Sequence, residues 1–128
     1  MAKAPPMRWP KRIRIGYRTL RVRFVNPSSA ALDGRNGSQC LGSQKTQPGE
    51  MWVATGQDRE EEANTVLHEV IHAVLKNAAH DGFEGEERIV GAITAGLCQS
   101  MQDDPQLWRA MRQVIRLSKK AGREIEVR

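Results

Sequence analysis

Aromatic rings are scarce in this chain, with three tryptophans, two phenylalanines and one tyrosine among 128 residues. The core must therefore be assembled from Ile, Leu, Val, Met and Ala. Cysteine is rarer still: Cys40 and Cys98 stand far apart and form no CxxC pattern, which excludes a disulfide framework and favours two free thiols. No apolar run reaches the roughly 20 residues that a membrane span requires, and the basic start MAKAPPMRWPKRIRIGYR is followed by no apolar h-region. These absences point to a cytoplasmic location and no membrane partner. The length suits one domain with one core.

Charge is plentiful and sharply sorted. Residues 1–57 hold ten Lys or Arg against two acids, residues 58–104 three against eleven, and residues 105–128 seven against two. An acidic middle suits a cation, while basic flanks suit a polyanion or an acidic partner. Arg12, Arg14, Arg18, Arg21 and Arg23, with Arg109, Arg112, Arg116, Lys119 and Lys120, could contact the phosphates of a nucleic acid. The same sorting also fits solvated faces that attract each other within one domain.

Pro5, Pro6 and Pro10 among small and basic residues mark residues 1–11 as a flexible basic arm. IRIGYRTLRVRFV then alternates apolar and basic positions about Gly16, predicting two strands with Ile13, Ile15, Leu20, Val22 and Phe24 inward and Arg14, Arg21 and Arg23 outward. Residues 26–49 read as loop, with a short strand near Gln39 to Leu41. GEMWVATG gives one compact strand between glycines. Asp58 is placed to cap a helix whose first turns carry Glu60, Glu61 and Glu62, as the helix dipole favours. That helix runs to about Asn77 or Ala79, HDGFEG breaks it, and EERIVGAITAGLCQSMQ forms a second, with Gly91 and Gly96 suggesting close packing. A third begins at Pro105 after Asp103 or Asp104 and stops at Gly122, leaving REIEVR as a small terminal strand.

The first helix carries the chemistry. With Val66 as origin, Val66, Leu67, Val70, Ile71, Val74 and Leu75 fill one half of the wheel, and His68, His72 and Glu69 fall at about 200°, about 240° and about 300°. Histidines at i and i+4 aim their rings at a common point, and a carboxylate one position after the first reaches a water bound there. This is HExxH, a pattern expected by chance in roughly one of several hundred chains of this length. Two imidazoles and a third protein ligand hold Zn²⁺ with one position open, where a water becomes acidic enough for Glu69 to take its proton as general base. The longer HExxHxxGxxH pattern fails, because Leu75 and Ala78 stand where it needs other residues. His80 lies two turns beyond His72 and is poorly placed to ligate. Glu86 and Glu87, at the start of the next helix, are the candidate third ligands, and the wheel does not separate them. A general peptidase requirement for an oxyanion stabiliser leaves Tyr17, His80 and Arg88 as candidates.

The succession MWVAT, TVLHEVIHAVL and EERIVGAITAGL up to DDP resembles the small zincin metallopeptidases of phages and prophages, related to the ImmA/IrrE type, over roughly residues 12 to 108. Only HExxH is highly specific in this likeness. The resemblance implies an α+β domain over residues 12–128, with a small, mostly antiparallel sheet packed on the HExxH helix and two further helices. It also implies Glu87 as third ligand, with Glu86 second choice, and an edge strand of Met51, Trp52, Val53 and Ala54 that pairs with an extended protein or peptide substrate. A phage-encoded protein of this kind would work in the bacterial host's cytoplasm. The DNA-binding and sensor domains of larger relatives have no counterpart in these residues, so their regulatory role is not implied. The expectation is thus a zinc-dependent metallopeptidase. The alternatives are a non-catalytic zinc-stabilised binding module and a basic nucleic-acid-associated phage protein.

Overall fold

The computed structural model describes residues 9–28, 32, 42–45 and 49–126. The fold is α+β, a four-stranded mixed sheet followed by three helices. The alternating segment forms β1 (Arg12–Ile15) and β2 (Arg18–Val25), an antiparallel hairpin in which Ile15 faces Arg18 across Gly16 and Tyr17. Gly16 has φ of 60°, as a type II′ turn demands of its first central residue. β3 (Gly42–Lys45) and β4 (Glu50–Ala54) follow, and the strand order is β1-β2-β4-β3.

That order corrects one expectation. The strand of Met51 to Ala54 is interior, parallel to β2 on one side and antiparallel to β3 on the other, so it has no free edge for a substrate. The short strand looked for at residues 39–41 lies a few positions later, as β3, and it covers β4.

α1 (Arg59–Asn77) packs on one sheet face, capped by Asp58, whose carboxylate accepts from the Glu61 N–H at 2.8 Å. The core joins Ile15, Leu20, Met51 and Val53 of the sheet to Val66 and Ala73 of α1, with Trp9, Ile13, Val22 and Val70 packed around it. Each large apolar side chain removed from water there contributes about 1.5–3 kcal/mol. Trp9 also donates from Nε1 to Glu62 Oε1, so the flexible arm does not extend as far as Trp9. Residues 1–8 lie outside the described residues.

The buried stripe of α1 is rotated by roughly 120° from the half-circle of apolar residues read on the wheel. Val66, Glu69 and Ala73 are its buried members, while Val74 is 49% exposed. Small neighbours explain the difference: Ala73 and Gly42 let helix and sheet approach along this line, where a wider apolar side chain would hold them apart.

The chain divides into two compact units, residues 1–94 and 95–128, and the boundary falls inside α2 (Glu86–Asp103). In the first unit Val90 and Thr94 of α2 are buried, the Thr94 hydroxyl donating to the Val90 carbonyl at 2.7 Å. In the second, Trp108 Nε1 donates to Ser100 Oγ at 2.9 Å. A Cβ on Gly96 would meet nothing within 4 Å, so this glycine marks no close approach. α3 (Pro105–Glu126) starts at Pro105 as expected but runs through Gly122, so residues 123–126 are helical where a strand was expected, and residues 127–128 lie outside the described residues. One glycine costs a helix only about 1 kcal/mol and does not by itself end it. Cys98 is a free thiol raised above its ordinary pKa by burial, and Cys40 lies outside the described residues. No helix among the described residues is long and apolar enough to cross a membrane.

Candidate metal centre

α1 leaves the sheet side through a tight stop. Ala78 caps it, the Ala79 N–H returns to the Lys76 carbonyl at 3.1 Å and the His80 N–H to the Leu75 carbonyl at 2.9 Å, a Schellman pair. Ala79 takes the left-handed conformation at φ 59° that glycine normally fills, and Gly82 and Gly85 turn again at φ 78° and 84°. The six residues from His80 to Gly85 thereby reverse the chain and bring the first turn of α2 back to His68 and His72.

Both adjacent glutamates are used, for different work. Glu87 faces the two Nε2 atoms, with Oε1 2.6 Å from His68 and Oε2 2.8 Å from His72. Glu86 lies against the other nitrogen of His72, Nδ1 to Oε2 at 2.5 Å, and its second oxygen accepts the Gly82 N–H. The side chains of Glu86 and His72 are largely covered, at 18% and 12% exposure, whereas Glu87 is 78% exposed, so the group opens to solvent on the Glu87 side. Burial works to raise the Glu86 carboxyl, but the Gly82 N–H and the hydrogen bond and charge of His72 outweigh it and hold its pKa below the ordinary value.

When His72 Nδ1–H donates to Glu86, the neutral ring has only a lone pair at Nε2. That lone pair faces the Glu87 carboxylate and lies 3.1 Å from His68 Nε2. In that tautomer three lone-pair-bearing atoms converge on one point, an arrangement that a metal ion between them would satisfy. The three residues each present one donor atom, all within 4.8 Å of one another, as a metal-holding group would. Contacts of 2.6 to 3.1 Å are about 0.2 to 0.7 Å shorter than the about 3.3 Å separating neighbouring ligands of tetrahedral Zn²⁺.

Glu69 points elsewhere, into the contact between α1 and β3. It is 7% exposed, and a Cβ built on Gly42 would lie 3.0 Å from its Cγ and 2.6 Å from the Cγ2 of Thr65. Desolvation pushes its pKa from 4.5 up to about 7; His72 opposes the rise and the Glu87 charge adds to it. Such a carboxyl exchanges protons near neutrality, as a general base should. Thr65 is fixed in turn, its hydroxyl donating to Gln57 Oε1 at 2.8 Å while Gln57 Nε2 donates to the Ala54 carbonyl at 2.9 Å.

His68, His72, Glu86 and Glu87 are thus gathered in one place, and Glu69 lies buried near them at the α1–β3 contact, where the charges of His72 and Glu87 act on it. The oxyanion candidates are not joined to it: Tyr17 is 73% exposed in the hairpin turn beside Arg18, and neither His80 nor Arg88 is hydrogen-bonded to the group. Two participants were missed. Glu86 as the support of His72 had a signal, because neighbouring positions on a helix are about 100° apart and two such glutamates cannot serve a common point equally. Gly42 had none, being one small residue in a stretch full of them. No protein-family model, curated protein or solved structure matches this chain.

Proposed function

We propose that this protein is a zinc-dependent metallopeptidase, with His68, His72 and Glu87 as metal ligands and Glu69 as general base. The observation that carries the reading is the convergence of both Nε2 atoms and the Glu87 carboxylate on one point, beside a buried carboxyl whose pKa lies near 7. The HExxH spacing and the resemblance to small phage zincins support it from the sequence side. A bound Zn²⁺ supplies Lewis acidity toward a water and a peptide carbonyl.

The residues of the chain do the rest. Glu86 holds His72 by Nδ1 and so directs its Nε2 lone pair at the metal position. Glu69 takes a proton from water and returns it to the leaving amine, and the backbone of Gly42 lies close against its stem. An extended substrate would pair on β3, since β3 is the sheet edge beside Glu69 among the described residues.

The test is cleavage of unfolded protein mixtures by the zinc-loaded chain, with new N-termini identified by mass spectrometry. Activity is expected in the wild type and absent in Glu69→Gln. Cleavage that survives this substitution would remove Glu69 from the mechanism.

A further inference from the structure

The sheet face turned away from α1 is basic in a way that folding does not require. Arg12 stands directly opposite Arg21 in the β1–β2 register, and both are exposed. Like charges directly opposed across an antiparallel pair destabilise it. Neither side chain makes an ion pair or hydrogen bond among the described residues. Arg14 and Arg23 follow two positions along the same face, each about 7 Å further along its strand. Among the described residues of these strands Glu50 is the one carboxylate on this face, and it is engaged by Arg23, Nε to Oε1 at 3.1 Å. Trp52, half-buried, stands in register with Arg23 on the same side.

We propose that this face binds the phosphate backbone of a nucleic acid, with Arg12, Arg14, Arg21 and Arg23 on phosphates and Trp52 against a sugar or base. The occupant follows from the chemistry of the face. Guanidinium groups offer planar paired donors that match phosphate oxygens, and a rigid sheet presents four of them against one carboxylate. A half-buried indole among them still offers an edge or part of a face to a base or sugar. An interfacial lipid site would add apolar side chains to sink among headgroups, whereas the aliphatic positions here are Val25, half-buried, and Ala54, fully buried. The face lies across the sheet from α1 and the histidines, so nucleic acid and a peptide substrate can be held together.

Anisotropy with the full chain and labelled 20-nucleotide probes, single-stranded and duplex, tests this. Binding is expected at 50 mM salt and should weaken by about 20- to 150-fold at 200 mM, the range for three or four phosphate contacts on single strands or duplex. Arg12→Thr with Arg21→Thr should weaken binding about tenfold or more, and Arg14→Gln alone about threefold. The double variant should melt no lower than wild type, because it removes the opposed charges. Arg109→Gln with Arg112→Gln should leave binding unchanged. The proposal is overturned by no binding to either probe at 50 mM salt, by undiminished binding in the Arg14 variant or in a folded double variant, or by loss in the Arg109/Arg112 variant instead. Tighter binding to phosphatidylserine vesicles or polyglutamate than to either probe would also overturn it.

Discussion

Glu69 is buried as a carboxylate at a cost to the fold, and that cost is measurable. Its pKa is about 7 in the folded chain against 4.5 otherwise, so between these values the folded metal-free protein keeps a proton that the unfolded chain releases. Stability therefore falls as pH rises from about 4.5 to about 7 and stays reduced above that. Denaturant melts with chelator present should find Glu69→Gln more stable than wild type at about pH 8, by at most about 3 kcal/mol, with the gap closing at about pH 4. Equal stability at both pH values would refute the buried, proton-holding carboxyl. In zinc-loaded protein the same variant should keep its metal and lose about 100- to 10,000-fold in cleavage rate, read from peptide turnover. Glu86 has a different expected signature. Glu86→Ala should weaken zinc about 10- to 100-fold by competitive chelator titration, because His72 loses the acceptor that orients it. An unchanged affinity would mean that His72 is held by packing alone.

Two elements determine whether the centre can assemble: the stop after α1 and the strand over Glu69. Ala79 adopts a left-handed backbone that costs an alanine roughly 1–2 kcal/mol, so Ala79→Gly should raise stability by about 1 kcal/mol in thermal melts without changing metal uptake. Gly42→Ala should instead destabilise the fold, with its Cβ driven onto the Thr65 methyl at 2.6 Å, and Thr65→Ser should recover part of the loss by deleting that methyl. Additive effects in this pair would place the strain elsewhere. The helices were legible because each depends on local signals: Asp58 and the three following glutamates, Pro105, and the run HDGFEG between α1 and α2. The meeting of His68 and His72 was legible for the same reason, since i and i+4 always share a helix face. Strand order was not, because a sheet edge depends on which distant segment arrives beside it, and β3 comes from a stretch of Gly, Ser and Gln with little apolar pattern. The rotation of α1 escaped the wheel too, because small partners at Gly42 and Ala73 decide which stripe meets the sheet.

At the scale of the whole molecule, the sorting of charge along the sequence becomes a sorting in space. The acidic segment of residues 58–104 supplies every member of the candidate metal centre, and Arg12, Arg14, Arg21 and Arg23 line the far side of the sheet. A cation bound to the folded state alone should stabilise the protein by about 4 kcal/mol at a thousandfold excess over Kd, visible as a rise in melting temperature on adding zinc that His68→Ala abolishes. The central claim is that His68, His72 and Glu87 hold one metal ion. Elemental mass spectrometry on untagged protein, beside His68→Ala and Glu87→Ala variants, addresses it most directly. The account predicts close to one zinc per chain in the wild type and its loss in both variants. A wild type that carries no metal and takes up none when zinc is offered would contradict it.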